Sequence, residues 1–167
     1  DGVGQGAVPT PNTSYVLTNG HTGSTYSFRV RAQNNAGIVS NWSPFVATVV
    51  DGTPPLPTLS VAARYQVSTN IVVTWSATDT VSGVASYDLQ ASINGGGWTD
   101  WLHAVTFTSG TYFGATGNTY AFRVRARDGA GNVSDWVTGQ NNQTTIAVVE
   151  TSGRVLGNLG LPIAGAT

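Results

Sequence analysis

Few residues in this sequence have side chains suited to catalysis. The 167 residues hold two histidines, His21 and His103, one glutamate, Glu150, and no cysteine. Neither histidine stands beside a carboxylate and a serine in a pattern that reads as a nucleophilic triad, although a triad is set by space and not by chain order. A glycosidase pair would have to come from aspartates, and most of these sit in turn-like contexts, where the carboxylate caps its own backbone. Asp79 precedes Ser82-Gly83, and Asp128 precedes Gly129-Ala130-Gly131-Asn132. Both loops could offer oxygens to calcium, which takes about six to eight. Neither has that density of carboxylates, so turn capping is the expectation. There is no cluster with metal-ligand spacing and no phosphate loop. The sequence therefore points to a non-enzyme with no catalytic, cofactor-binding or metal-binding residues and no cofactor.

A second pattern is richer. Arg123, Arg125 and Arg127 recur at every second position of one apolar stretch, opposite Phe122, Val124 and Ala126. On a strand those two sets face opposite ways. Trp136 follows the stretch, and Trp98 and Trp101 precede it. A guanidinium over an indole gains about 0.5–2 kcal/mol. Trp136 and Trp101 are expected to stack with Arg123 or Arg125 on an outer sheet face, and Arg29, Arg31 and Trp42 repeat the pattern upstream. Such a face could be an aromatic platform for sugar rings or a ladder that shields the sheet. Its appearance twice favours the shield. An Asp88–arginine pair is expected beside it. Asn12, Asn41, Asn132 and Asn142 open N-x-Ser/Thr sequons, which matter only in a cell with that glycosylation pathway.

The elements behind these residues emerge from an internal repeat. Residues 26–42, YSFRVRAQNNAGIVSNW, match residues 120–136, YAFRVRARDGAGNVSDW, at 11 of 17 positions and a constant offset of 94. Gly20, Thr22, Gly23 and Thr25 align with Gly114, Thr116, Gly117 and Thr119. The second copy has 64 residues between Pro55 and Tyr120, whereas only 25 precede Tyr26 in the first. The expected division is a partial unit over 1–52, a complete unit over 53–150, and a linker or first strand of a following domain over 151–167. Thr53-Pro54-Pro55-Leu56-Pro57 is the stiff joint.

Alternation of period two runs through the complete unit: Leu59 and Val61, then Ile71, Val73 and Trp75, then Tyr87, Leu89, Ala91 and Ile93. A short strand from Trp98 to Leu102 comes next, then Val105 and Phe107, then Tyr120, Phe122, Val124 and Ala126, and finally Ile146 and Val148. Seven strands and no helical period predict an all-β antiparallel sandwich whose core includes Trp75, Tyr87, Leu89, Phe122 and Val124. Charged residues make up 9% of the chain, against about 25% in ordinary domains, and the net charge is −1 with every basic residue an arginine. Nothing here suggests a nucleic-acid partner, and no apolar run is long enough to span a bilayer. No signal peptide is visible, and the opening Asp1-Gly2-Val3-Gly4 has the character of an interior segment.

The Pro-rich start, Trp75, Tyr87 and the YxFRVRAxDxAGNxSxW stretch resemble fibronectin type III domains of bacterial surface proteins and secreted enzymes. The likeness covers 53–150 in full and 1–50 in part. It implies an immunoglobulin-like sandwich in which Tyr26 and Tyr120 are tyrosine corners. Residues 151–167, with their Gly-Pro-Ile-Gly pattern, are similar to the start of a carboxypeptidase-regulatory-like β-sandwich. The functional expectation is a structural or adhesive spacer in a secreted or cell-surface protein, whose partners are neighbouring domains. Two alternatives stand beside it. One is a filament subunit completed by strands of identical subunits, with Val155 to Ile163 as the donated strand. The other is an accessory carbohydrate-binding module of a secreted enzyme, with glycans as partners.

Overall fold

The computed structural model describes residues 11–139 and 141–148. The secondary structure of these residues is all β. A two-stranded unit comes first: β1 (Thr25–Phe28) pairs antiparallel with β2 (Val46–Val49), Tyr26 opposite Thr48. The complete unit follows from Pro55, which is fully buried.

Two sheets make the sandwich. One joins β3 (Leu56–Val61), β5 (Asn70–Thr78) and β8 (Ser109–Phe113) in that order. The other has the order β4-β10-β9-β6-β7, with β4 (Tyr65–Gln66), β6 (Val84–Ile93), β7 (Thr99–Val105), β9 (Thr119–Asp128) and β10 (Gln143–Ile146). All pairings are antiparallel except the short parallel contact of β10 with β4. The strand order is that of an immunoglobulin-like, fibronectin type III sandwich.

Alternation decides which face is buried. Leu59 and Val61 on β3, and Ile71, Val73 and Trp75 on β5, face Tyr87, Leu89 and Ala91 on β6 and Tyr120, Phe122, Val124 and Ala126 on β9. Ile146 closes the set. Burying each large side chain contributes about 1.5–3 kcal/mol, so these residues are the main source of stability. Edge-to-face rings fill the centre. Trp101 lies 5.5 Å from Phe122 and 6.1 Å from Trp75, and Tyr112 lies 5.3 Å from Phe122. Gly110 fits close against these rings: a Cβ there would stand 3.2 Å from the Trp75 ring and 3.4 Å from Trp101, so the indoles would have to give by a few tenths of an ångström.

The strands differ from the sequence expectation in three places. The complete unit has eight strands where seven were expected, because β4 adds a two-residue piece. Val105 ends β7, and Phe107 lies in the connection that follows, where its ring packs 5.9 Å from Trp75. The next strand is β8, whose inward positions are Gly110 and Tyr112. Its apolar alternation was hidden because one of the two inward positions is a glycine, packed close against the indoles. At the C-terminal end β10 stops at Ile146, and Val148 is exposed. The expected domain over 151–167 lies outside the described residues.

Candidate functional site

The outer face of the five-stranded sheet gathers most of the polar chemistry of the complete unit. Arg123, Arg125 and Arg127 project from β9, and Asp88 and Gln90 from β6, brought level by the register Asp88↔Arg125 and Gln90↔Arg123. Arg123 Nε donates to Gln90 Oε1 at 2.7 Å, and Gln90 Nε2 donates to Asp100 Oδ1 at 2.7 Å. Arg125 Nε donates to Asp88 Oδ2 at 2.8 Å. The expected Asp88–arginine pair is therefore Asp88–Arg125.

Indoles stack over this row. The Arg123 guanidinium lies 4.6 Å from the Trp98 ring centre and 4.8 Å from that of Trp136, and Arg125 lies 4.8 Å from Trp136 on the next rung. In the first unit Arg29 and Arg31 lie 4.5 and 4.6 Å from Trp42, and Arg29 also meets Phe45 at 4.9 Å. Trp101 was expected in the ladder, but it points the other way, into the core. Three residues separate it from Trp98, so a strand must send the two to opposite faces. The irregular register between Leu89↔Leu102 and Gln90↔Asp100 makes Trp101 the extra residue of a bulge that turns inward.

The indoles are placed by serines that sequence reasoning did not single out. Ser134 Oγ accepts from Ala126 N at 3.0 Å, while Ser134 N donates to Ala126 O at 2.9 Å. Ser40 makes the same pair of bonds with Ala32 at 3.0 and 2.9 Å. Each serine ties the segment after the arginines back to the chain that carries them, two residues before the tryptophan. The signal was present in the repeat, where both serines are among the identical positions.

Asp88 has a second task. His103 Nδ1 lies 2.8 Å from Asp88 Oδ1, and the same oxygen accepts from Ala104 N at 2.9 Å. Ala104 has φ 50°, in the left-handed region that alanine rarely adopts. Burial pushes the Asp88 carboxyl up. The Ala104 and Arg125 hydrogen bonds and the charges of His103 and Arg125 outweigh that, so its pKa lies below the ordinary carboxylate value.

The corner tyrosines sit beneath their loops. Ala115 N donates to the Tyr120 hydroxyl at 2.7 Å, and His21 N donates to that of Tyr26 at 3.0 Å, each bond reaching back five residues. The placement of His21 and His103 thus differs. His21 offers its backbone to a corner, and His103 lies 80% exposed on the outer face.

A second group forms at the joint, and it includes a residue that the sequence did not flag. Asp51, Asp79 and Asp128 bring carboxylate oxygens within 4.8 Å of one another. Asp79 Oδ1 accepts from the backbone N–H groups of Ser82 and Gly83 at 2.9 and 2.7 Å. Asp128, 2% exposed, accepts from Asn132 N and Nδ2, both at 2.8 Å. Asp51 Oδ2 accepts from Ser82 Oγ at 2.6 Å, and the Asp51 carbonyl takes Asn132 Nδ2 at 3.0 Å. The Ser82 hydroxyl and the Thr53 N–H hold the Asp51 pKa down. Three such carboxylates are the described residues best placed to meet a hard cation. Three oxygens fall short of the roughly six to eight that calcium takes. What the bonds visibly do is fasten the linker to two loops of the complete unit.

The strand order and paired sheets define the class: the chain is built of fibronectin type III-like repeats. No family model matches it. It is similar to chitinase A1 of Niallia circulans, 30% identical over 135 residues, which is 77% of this chain and 18% of that protein. It is 41% identical over 118 residues to exoglucanase A of Cellulomonas fimi, covering 65% of this chain and 13% of the relative. Endoglucanase B of Cellulomonas fimi is 38% identical over 163 residues, 89% of this chain and 14% of the relative. The chain thus spans less than a fifth of the length of each of these relatives.

Proposed function

We propose that this chain is a non-catalytic spacer of an extracellular multidomain enzyme that degrades chitin or a glucan. The observation that carries it is the extent of the matches: the matched stretch is 13–18% of the length of a chitinase, an exoglucanase and an endoglucanase. The geometry agrees with a mechanical task. A sandwich with a fully buried apolar centre resists bending. A joint fastened through Asp51, Ser82, Asn132 and buried Pro55 transmits the direction of one unit to the next. The Arg–Trp ladder covers part of the outer face of the sheet with stacked cations and indoles. The test is hydrolysis of chitin and of soluble and insoluble glucans by the 167-residue chain alone. Release of sugar above the blank would refute the proposal.

The accessory sugar-binding reading is favoured by one observation, that Trp98 and Trp136 flank Arg123 at the surface. Retention on insoluble glycan that Trp98→Ala abolishes would establish it, and a spacer predicts no retention. The filament reading is favoured by the exposed apolar face of the first unit. Its mark is polymer that persists on dilution in sedimentation.

A further inference from the structure

The chain between the two units is bound residue by residue. Val50 belongs to the first unit: its carbonyl accepts from Gly23 N at 2.8 Å, and its N–H donates to Ser24 O at 3.0 Å. Gly52 N donates to Thr22 Oγ1 at 3.0 Å. Between them, Asp51 belongs to the complete unit. Its Oδ2 accepts from Ser82 Oγ at 2.6 Å and from Ser82 N at 3.1 Å, and its carbonyl accepts from Asn132 Nδ2 at 3.0 Å. Its Oδ1 accepts from Thr53 N at 3.0 Å. Ser82 Oγ in turn accepts from Ala130 N at 3.2 Å, so one hydroxyl joins the carboxylate to both loops of that unit.

The repeat does not require this arrangement. Gly117 N donates to Ile146 O at 2.8 Å as Gly23 N does to Val50 O, which makes Ala147 the counterpart of Asp51. At the offset of 94, Asn132 and Asp128 correspond to Ile38 and Asn34. Among the described residues, the carboxylate and its receptors occur together once, at this joint.

We propose that Asp51 is an acid-sensitive latch: ionised, it holds the two units in one relative direction, and protonated, it lets them swing. The inference rests on the spacer reading, in which that direction is what the chain transmits. An ionised carboxylate only accepts, and here it meets three donors; a protonated one brings a hydrogen of its own against them. Asp79 faces it from the β5–β6 loop and Asp128 from the end of β9, with oxygens within 4.8 Å, and both oppose its charge. Arg127, beside Asp128, gives its guanidinium to Gly131 O at 3.2 Å. The adjoining loop of the first unit contributes His21, whose N–H serves the Tyr26 corner. The hydrogen bonds prevail. That of the Ser82 hydroxyl first, and that of Thr53 N next, hold the Asp51 pKa below the ordinary carboxylate value. The latched group is thus more acidic than the released one. The latch is closed above about pH 4 and is lost as pH falls through the latched value.

The chain has no cysteine, so Ser27→Cys and Thr74→Cys, both at exposed positions, place one spin label on each unit. Pulsed electron resonance then reads the distribution of distances across the joint. At about pH 7 the distribution is expected to be narrow, and by about pH 2 to be at least about twofold broader, as in a linker freed of its contacts. Tryptophan fluorescence is expected to show the sandwich still folded as the broadening occurs. Asp51→Ala is expected to give the broad distribution at every pH, and Asp88→Asn, on the outer sheet face, to leave the parent's behaviour unchanged. A broad distribution in the parent at neutral pH overturns the proposal, as does a narrow one in Asp51→Ala. So does a parent that stays narrow in acid, or one that broadens only as the folded tryptophan signal is lost. Failure of the latch leaves the hydrolysis test of the spacer reading as it stands, and release of sugar would sink that reading without moving any distance.

Discussion

Thr144 carries a buried hydroxyl with no hydrogen-bond partner among the described residues, a condition it shares with the Trp75 indole N–H. Its side chain is 0% exposed on β10, opposite Tyr120. An unsatisfied buried hydroxyl costs about 1–3 kcal/mol, whereas an apolar group of the same shape is close to neutral. Thr144→Val keeps the branched shape that a strand favours. It is expected to raise stability by about 1 kcal/mol in urea denaturation, and a loss of stability would reveal a partner for the hydroxyl. Tyr120 is the opposite case, a buried phenol whose partner is the Ala115 amide. Tyr120→Phe leaves that N–H unpaired and is expected to cost about 1–2 kcal/mol in the same measurement.

At the scale of the element, β7 is an edge strand with two irregularities, one of them held by a carboxylate. Asp88 bonds the Ala104 amide beyond the bulge and ties it to Arg125 on β9. The folded-state pKa of Asp88 is depressed, so its contribution to stability is fully present above the unfolded value of about 3.9. It is lost as pH falls through the folded value. Stability is expected to decline below about pH 4, and Asp88→Asn is expected to flatten that part of the curve. A variant whose acid limb matched the parent would place the titration elsewhere. The ladder gives a second test. Trp136→Ala uncovers both Arg123 and Arg125 and is expected to cost about 1–2 kcal/mol, read by urea denaturation. How much of this was legible in the sequence depended on periodicity. The repeat exposed β9, its arginines and Trp136, because two copies of one pattern leave little room for another reading. The face taken by Trp101 was legible in its spacing from Trp98, because positions three apart on a strand face opposite ways. Asp51 was hidden because its partners, Ser82 and Asn132, lie 31 and 81 residues away.

For the whole molecule, the two units hold equivalent residues in unequal surroundings, and stability should follow the surroundings. Phe122 is enclosed by Trp101 and Tyr112 and is 0% exposed, whereas Phe28, its counterpart, is 42% exposed. Removing an enclosed ring leaves a cavity as well as losing its transfer energy, so Phe122→Ala is expected to cost about 3–5 kcal/mol. Phe28→Ala removes a ring that water already reaches and is expected to stay within about 0.5 kcal/mol. Tryptophan fluorescence can follow both, since Trp75, Trp98, Trp101 and Trp136 all lie in the complete unit and only Trp42 lies in the first. Equal shifts in the two variants would mean that the first face is packed in solution and that the two units unfold together. Unequal shifts would mean that cooperativity is confined to the complete sandwich.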